Sequence, residues 1–511
     1  MSSFNKKTLP RALPSAISKI AYATPDTVNK AGGEAFSISP EIKLVFSLIS
    51  SFLEPEFYSS PSQTVAELRA AVNAVDPKFA AKAAIYSRTQ FGMRSTSHCV
   101  AAEIAHKVKG EAWTKEFFNK VVYRVDDASE ILAAYLGFYG KPVPNSLKKG
   151  LAKSLSKFSR YQLAKYKGNG KGIKLVDLFN IVHPKPEEKN AADFKDLIDG
   201  NLPSMDTWEV ELSKAGTEAK TPLERHTKKT AVWKKLLETN KLGYFALLRN
   251  LRNLLETEDK GIIAEACKQL CNPKAIKESL VLPFRFMTAL TTLKALPPSF
   301  QQRAVLSAVN KAMEIALNNV PKFEGETLIA VDTSGSMGIG EESKSPAQIA
   351  SLFAAALAKE NNADVLIFDS DARYININLD DSLGTIVENL QKMFRGGATN
   401  FKAAFEKANK KYDRIIILSD MQAWVKNPVA GSWGSYGAAS SDPCQVFGEY
   451  CAKFKANPKV FCFDLKGYGT AQFPQDSVFS LAGFSDKAFD IMAALERNPK
   501  ILIDKINEIE L

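Results

Sequence analysis

The segment Asp332-Thr333-Ser334-Gly335-Ser336 carries the side chains of this 511-residue chain that are best arranged for chemistry. It follows an apolar run at residues 327–331 and sets one carboxylate and two hydroxyls at alternate positions. Such oxygen ligands can converge on one hard cation, and oxygen sets of this kind suit Mg²⁺ or Mn²⁺ rather than zinc. The segment therefore predicts a metal loop at the end of a strand.

Two further segments offer oxygen ligands to the same cation. Thr399 lies in a glycine-containing turn before a helix-like segment, and Asp420 follows a second apolar run at residues 415–418. Ligands of parallel sheets bind at the carboxyl ends of the strands, where Asp332 and Asp420 both fall. We therefore expect one divalent-cation site formed by Asp332, Ser334, Ser336, Thr399 and Asp420.

A catalytic use of the same loop is an alternative. Haloacid-dehalogenase-type phosphatases place a nucleophilic aspartate after a strand and a second aspartate two positions later, where this chain has Ser334. The phosphate-binding pattern G-x-x-x-x-G-K-[ST] is absent. All four histidines precede residue 230, so the C-terminal region has no candidate histidine for a catalytic triad. We expect a binding site and no enzyme.

A basic stretch is the second feature that could do chemistry. Residues 131–176 contain ten Lys and Arg but no Asp or Glu. Four of the cations are spaced four, four and three residues apart, which predicts one cationic helix face: Lys149, Lys153, Lys157 and Arg160. Leu147, Leu151, Leu155 and Phe158 follow the same spacing on a neighbouring face suited to the core.

Aromatic side chains interleave with the last cations of this stretch. Tyr161 and Tyr166 flank Lys165 before a glycine-rich turn. Cations beside aromatic rings suit phosphate neutralisation with base stacking, which predicts nucleic-acid binding. A merely solvated face is the alternative, although such a face normally mixes both signs of charge.

The order of apolar patterns predicts the elements that position both features. Residues 37–319 show apolar residues at three- and four-residue steps between short breaks, which predicts an α-solenoid of stacked helix pairs. Beyond residue 321, buried-strand runs alternate with helices, as in a doubly wound α/β sheet. We predict a multidomain chain with an irregular arm at 1–34, a helical domain at 35–320 and an α/β domain at 321–511. Residues 183–230 are polar and predict a long loop or insertion.

Charge and composition narrow the function classes. Residues 1–320 hold 47 Lys and Arg against 31 Asp and Glu, a balance of +16, and residues 321–511 hold 20 against 25, a balance of −5. The basic part fits a polyanionic partner, although solubility alone could also explain it. No run of 18 apolar residues or secretory signal is present, and six cysteines are few. We therefore expect a cytoplasmic protein without a membrane partner.

Three strings of the helical region resemble the TROVE module of Ro autoantigen proteins. They are FGMRSTSH at residues 91–98, the segment 165–186 with its Lys-Tyr-Lys and His-Pro-Lys-Pro, and FALLRNLR at residues 245–252. The metal segment resembles the metal-ion-dependent adhesion site of von Willebrand factor A domains. A von Willebrand factor A domain directly after a TROVE module is the Ro arrangement, so the resemblance spans nearly the whole chain.

The resemblance implies a ring of HEAT-like helical repeats closed by the A domain. In that family, 3′ ends of misfolded non-coding RNAs enter the central hole and Y RNAs bind the outer surface, in RNA quality control without catalysis. Bacterial relatives can act with an exoribonuclease, polynucleotide phosphorylase. We expect a Y-like or misfolded RNA as the partner of a monomeric protein.

Family contacts carry over to individual residues of this chain. Lys165, Lys167 and His183 match the RNA-contacting pattern, and Lys171 stands where the family has an arginine, after a longer glycine spacer that lacks the usual aromatic. Arg94 of the first string is expected to pack between helices, as is His98. In A domains a partner's carboxylate completes the metal site. A metal-dependent protein-interaction scaffold with an acidic protein ligand is therefore the alternative function.

Overall fold

The structure is a computed structural model. It describes residues 20, 23–30, 32–50, 60–166, 172–202, 208–279, 281–338, 345–422, 443–466, 468, 470–473, 478–482, 492, 495, 498 and 500–511. Contacts divide the chain into a helical unit, residues 39–241 and 500–511, and a sheet unit, residues 1–38 and 242–499. The two units interleave along the chain, so they do not coincide with the predicted ranges, which follow chain order.

The helical unit is built from short helices joined by tight turns. Asp76 caps one of them by accepting hydrogen bonds from two backbone N–H groups, and Pro77 occupies its first turn. Helix α3 packs on α4, α4 on α6, and α5 on α7, as predicted for stacked helix pairs. The helices are α1 (Pro40–Ser50), α2 (Pro61–Asn73), α3 (Pro77–Gln90), α4 (Ser95–Lys107), α5 (Trp113–Val121), α6 (Val125–Tyr139), α7 (Asn145–Leu155), α8 (Arg160–Lys165), α9 (Leu175–Val182), α10 (Ala191–Ile198), α11 (Trp208–Thr217) and α12 (Pro222–Glu238).

The predicted helix face through Arg160 is wrong in one respect. Helix α7 ends at Leu155, and Ser159 starts α8 by accepting a hydrogen bond from the backbone N–H of Gln162 in a capping box. Lys157 therefore lies between two helices. The predicted core row is confirmed, because Leu147, Leu151 and Leu155 are fully buried and Phe158 is 6% exposed.

The predicted long loop at residues 183–230 is also wrong. Helices α10, α11 and most of α12 fall in it. Their charged residues face solvent, while a few large side chains are buried: Phe194, Leu197, Trp233 and Leu236. Trp208 stacks on Trp233 with ring centroids 6.2 Å apart, which joins α11 to α12. Sparse apolar anchors are enough here because each helix buries only one narrow stripe.

The sheet unit combines six helices with two sheets and the helices that cover them. Its elements are β1 (Thr27–Val28), β2 (Glu34–Ser37), α13 (Tyr244–Arg249), α14 (Leu251–Leu255), α15 (Lys260–Leu270), α16 (Pro273–Ser279), α17 (Pro283–Lys294), α18 (Phe300–Ala316), β3 (Thr327–Asp332), α19 (Pro346–Asn361), β4 (Asp364–Phe368), β5 (Ala372–Ile375), α20 (Leu383–Gln391), α21 (Phe401–Lys407), β6 (Arg414–Ser419), α22 (Pro443–Phe454), β7 (Lys459–Asp464), β8 (Thr470–Ala471) and β9 (Phe479–Ala482). The last helix of the chain, α23 (Ile501–Asn507), belongs to the helical unit and packs on α3.

The larger sheet confirms the predicted α/β fold. Its strand order is β5-β4-β3-β6-β7-β9, and all neighbours are parallel except the β4–β5 hairpin. Strands β3 and β6 pair directly, with Val331 opposite Leu418, so their carboxyl ends lie side by side. The arm predicted to be irregular instead contains the β1–β2 hairpin, which pairs with β8 in a second, antiparallel sheet.

No helix in the described ranges is long and apolar enough to cross a membrane.

A close approach of two helices yields a stability prediction. A Cβ atom added at Gly150 of α7 meets the Phe118 Cβ at 2.5 Å, whereas one added at Gly137 of α6 meets nothing within 4 Å. Gly150→Ala should therefore destabilise the protein by about 1–3 kcal/mol through overpacking. Gly137→Ala is the matched control and should stabilise it by about 0.5–1 kcal/mol. Chemical denaturation followed by circular dichroism measures both, and equal effects would contradict the packing described.

Candidate functional site

The five predicted oxygen ligands are all buried in the sheet unit. Asp332 ends β3 and Asp420 directly follows β6, the neighbouring strand. Ser334 and Ser336 lie in the turn after β3, and Thr399 lies in the loop before α21. The exposed fractions of these side chains range from 0% for the two aspartates to 8% for Ser336. The strand pairing therefore brings both carboxylates to one edge of the sheet, as predicted.

Hydrogen bonds hold the Asp332 carboxylate from both sides. The backbone N–H of Ser334 donates to Oδ1 at 2.9 Å, and the Ser419 hydroxyl donates to Oδ2 at 2.6 Å. The hydroxyls of Ser334 and Ser336 lie 3.3 Å apart. Ser419 was not among the predicted site residues, although its place at the end of a buried strand, directly before Asp420, is a signal that could have identified it.

Backbone hydrogen bonds attach the Thr399 loop to the metal loop. Gly335 N–H donates to the Gly397 carbonyl at 3.1 Å, and Gly396 N–H donates to the Thr333 carbonyl at 3.3 Å. Positive φ at Gly396, 72°, lets this chain turn where an L side chain would be strained. The two loops are thereby joined at the glycines, and Thr399 is only 3% exposed beside them.

Asp420 is held on one oxygen only. Its Oδ1 accepts a hydrogen bond from the Gln422 backbone N–H at 3.2 Å, whereas its buried Oδ2 has no hydrogen-bond partner in the described part of the chain. The next residue, Met421, adopts a φ of 56°, a conformation uncommon outside glycine. The Lys30 backbone N–H of the β1–β2 hairpin donates to Gln422 Oε1 at 2.7 Å, so the N-terminal hairpin supports this turn.

The electrostatics of this edge favour a bound cation. Burial raises the pKa of Asp332, and the neighbouring charge of Asp420 raises it further. Burial likewise raises the pKa of Asp420, although a hydrogen bond from Ser336 opposes the shift. Two buried carboxylates, several hydroxyls and one oxygen without a partner fit a small divalent cation. No group of three His, Cys, Asp or Glu in the described ranges could hold a metal, so hydroxyls would have to share in the binding.

The basic stretch of the helical unit is partly neutralised within the protein. Lys153 forms an ion pair with Glu116, and Lys157 donates to the backbone carbonyl of Asn119. Arg160 is held by two carboxylates from α10, each at 2.7 Å. These three predicted RNA-binding cations therefore serve contacts inside the fold.

Other cations of the stretch remain exposed. Lys149 and Lys165 are solvent-exposed, and within the described residues neither has a carboxylate at ion-pair distance. His183 is exposed and caps the end of α9 with a φ of 48°. Lys167 and Lys171 lie outside the described residues.

A cluster of tyrosines and cations surrounds Lys165. The Lys165 ammonium lies 5.8 Å from the ring centroids of both Tyr161 and Tyr166, and the Arg124 guanidinium covers Tyr166 at 4.5 Å. Tyr161 is 41% exposed, and Tyr123, next to Arg124, is 61% exposed. We call Tyr123, Arg124, Tyr161, Lys165 and Tyr166 the tyrosine–cation cluster. Sequence reasoning missed Tyr123 and Arg124 because they precede the acid-free stretch.

A buried carboxylate, Asp127, fixes the turn that carries Tyr123 and Arg124. It is fully buried and accepts hydrogen bonds from both of their backbone N–H groups, at 3.0 and 2.8 Å. The side chains of Arg88, Arg94 and His98 complete its shell at 3.0–3.1 Å.

The packing role predicted for Arg94 and His98 is thus confirmed. Burial alone would raise the pKa of Asp127, but the hydrogen bond from His98 and the charge of Arg88 hold that pKa well below its usual range. Asp127 is therefore an anion whose charge is balanced by protein groups.

Known proteins share both parts of this architecture. The TROVE domain model matches residues 54–201 and 199–351, and the Ro60 vWA domain model matches residues 326–495. The RNA-binding protein RO60 of Deinococcus radiodurans is 24% identical over 374 residues, which cover 65% of this chain and 67% of that protein. Telomerase protein component 1 of Rattus norvegicus is 22% identical over 352 residues, which cover 52% of this chain but 13% of that protein.

The crystal structure of the Deinococcus radiodurans RO (RSR) protein has the same fold. It aligns with a TM-score of 0.61 over 92% of this chain and all of that chain, at 18% identity. The likeness confirms a helix-rich N-terminal region followed by a mixed parallel sheet.

The Asp332–Asp420 pair should make stability depend on pH and on cations. Both folded pKa values are raised, so the stability contributed by the pair is present at low pH and is lost as the pH rises through them. In EDTA, the isosteric Asp420→Asn should be more stable than wild type near pH 8 and lose this advantage near pH 5. Thermal melts against pH measure the difference, with the surface variant Asp380→Asn as the control. Adding Mg²⁺ should stabilise wild type and leave Asp420→Asn nearly unchanged. An equal shift in both proteins would contradict a site at this edge.

Proposed function

Because this chain belongs to the TROVE-domain family and carries a Ro60-type von Willebrand factor A domain, we propose that it is a Ro-type RNA-binding protein. Its similarity to a protein named for RNA binding supports this assignment. The observation that carries the proposal is the tyrosine–cation cluster on the helical unit. There an ammonium and a guanidinium lie against aromatic rings that remain open to solvent.

The cluster suits RNA for two physical reasons. Lys165 has no carboxylate at ion-pair distance in the described part of the chain, so its charge is available to a phosphate. The exposed rings of Tyr123 and Tyr161 offer apolar faces on which unpaired bases can stack, a contact worth about 1–3 kcal/mol per base. Phosphate contacts and stacking together favour single-stranded or looped RNA, whose bases are accessible.

Further cations extend this surface in the proposal. Lys149 is exposed on α7, and His183 is exposed at the end of α9. Lys167 and Lys171 follow the cluster along the chain and match the family pattern in sequence. Lys153, Lys157 and Arg160 contribute less, because their charged groups already bind protein acceptors.

The family resemblance supports a finer proposal for the RNA. We propose that Y-like RNA and the 3′ ends of misfolded non-coding RNAs are the ligands, and that the protein is a non-catalytic scaffold in RNA quality control or processing. An exoribonuclease such as polynucleotide phosphorylase is the proposed partner. A cytoplasmic monomer whose helical repeats and A domain close into a ring belongs to the same proposal.

A second function is proposed for the edge of the larger sheet. Asp332, Ser334, Ser336, Thr399 and Asp420 would hold Mg²⁺, or Mn²⁺, which would supply an open position for an acidic protein ligand. The orphaned Oδ2 of Asp420 supports this proposal, because a buried anionic oxygen without a donor is stabilised by a cation. The chain's own residues orient the two carboxylates and exclude water from their far side.

RNA affinity should depend on the exposed cations and not on cations elsewhere. The double variant Lys149→Ala/Lys165→Ala should weaken binding of a Y-like RNA about tenfold, roughly 1.4 kcal/mol. Its slope of log affinity against log salt should fall by about 1.4 to 1.8, since each lost phosphate contact removes about 0.7 on single-stranded and 0.9 on duplex RNA. Filter binding at several salt concentrations measures both quantities.

The matched control removes the same charge from the same unit. Lys109 and Lys234 are exposed lysines outside the cluster, and Lys109→Ala/Lys234→Ala should change affinity less than twofold. Lys165→Ala/Lys167→Ala/His183→Ala should bind RNA weakly while melting like wild type. Affinity unchanged in both cluster variants would exclude this surface as the RNA site.

Metal binding should be separable from RNA binding. Asp332→Ala should abolish Mg²⁺ binding measured by isothermal titration calorimetry, because the variant loses the carboxylate that both Ser334 and Ser419 position. RNA affinity in the filter assay should stay within about twofold of wild type. Asp371→Ala, which removes an exposed carboxylate outside the predicted set, is the control. An equal loss of RNA binding in Asp332→Ala alone would show that the two sites are coupled.

A further inference from the structure

A pocket of about 490 Å³ lies among α13, α14 and α17 of the sheet unit. Leu248, Leu251 and Leu293 line it and are 1–5% exposed, so its floor is apolar. Phe245 also lines the pocket, and its ring is 43% exposed. A large aromatic ring that remains open to solvent beside a recess leaves one face available to a planar ligand.

Arginines form the walls of the same pocket. Arg249, Arg252 and Arg285 line it, and all three are exposed. In the described part of the chain, Arg249 has no carboxylate at ion-pair distance. Arg252 pairs with Glu256 at 3.1 Å, but both partners are 60% exposed and such surface pairs contribute little. The walls therefore present guanidinium donors to an anion.

We infer that this pocket binds one nucleotide of a single-stranded RNA, with the base on Phe245 and a phosphate at the arginine wall. The inference rests on the proposed RNA-binding function and adds a contact site outside the basic stretch. Every base has a π face, so stacking on Phe245 needs no particular sequence. Arginine forks match phosphate oxygens in geometry and charge, and the pocket volume lies within the range of small-ligand sites.

The combination of groups favours a nucleotide over an apolar or acidic peptide. An amphipathic helix needs an apolar groove several turns long, whereas this recess is short and walled by three cations. An acidic side chain would use the arginines but leave the Phe245 ring and the leucine floor uncovered. A nucleotide joins a flat apolar base to an anionic phosphate, which matches both surfaces at once.

The test compares matched pairs of variants in the full-length protein. Phe245→Leu removes the ring and keeps an apolar side chain, and Arg249→Ala removes one guanidinium. Phe300, 83% exposed on α18, and Arg303 on the same helix give the controls Phe300→Leu and Arg303→Ala. Binding of fluorescein-labelled decauridylate is followed by fluorescence anisotropy at several salt concentrations.

Each pocket variant should weaken decauridylate binding about five- to tenfold, and each control less than twofold. Arg249→Ala should lower the slope of log affinity against log salt by about 0.7, whereas Phe245→Leu should leave the slope unchanged. Photocrosslinking of 5-bromouridine-substituted decauridylate should label residues 245–252. Pocket variants that bind like their controls, or crosslinks found only elsewhere, would overturn the inference.

The outcome separates this inference from the proposed function. If wild type binds decauridylate and the Lys149→Ala/Lys165→Ala variant weakens it, while Phe245→Leu has no effect, only the pocket is wrong. If wild type binds neither decauridylate nor a Y-like RNA, the RNA-binding function itself fails.

Discussion

The helical unit depends on one buried carboxylate, Asp127, because groups from separate segments converge on it. Arg88 from α3 and His98 from α4 donate to it, and the backbone N–H of Arg124 donates at the start of α6. A buried charge is tolerated only when such donors surround it, and removing one of them leaves the others unbalanced. The same bonds fix the turn from which Arg124 reaches over Tyr166. Packing of the helices and geometry of the proposed RNA surface therefore rest on one interaction.

The carboxylates at the sheet edge face the same physical problem with a different solution. Asp127 is surrounded by two arginines and a histidine, whereas Asp332 receives only hydroxyl and N–H donors. Asp420 has even less, with one oxygen lacking any donor in the described residues. Burial raises the pKa of both edge aspartates, while that of Asp127 is held low. An anion balanced by protein cations is structural, and an unbalanced pair of anions is suited to a ligand that brings its own positive charge.

The sequence predicted the sheet edge better than the basic surface. Strand ends and the alternation Asp332, Ser334, Ser336 are local patterns, and parallel pairing brings them together without further information. The environment of a cation is not local. Arg160 lies in a stretch without acids, yet carboxylates of α10, more than thirty residues later, neutralise it. Helix α10 itself was unpredictable from periodicity, because it buries only a few large side chains in a polar segment. Tyr123 was missed for the related reason that it joins the cluster through the fold.

Net charge acquires a different meaning once pairing is known. The balance of +16 in residues 1–320 counts each lysine and arginine equally, but a cation already held by a carboxylate offers little to a phosphate. Lys153 belongs to that class, whereas Lys165, beside its tyrosines, does not. In residues 321–511 the balance is −5, which repels an acidic ligand unless a bound cation reverses the local field. One protein can thus address phosphates through fixed cations and carboxylates through a metal, and the two modes need not compete for the same residues.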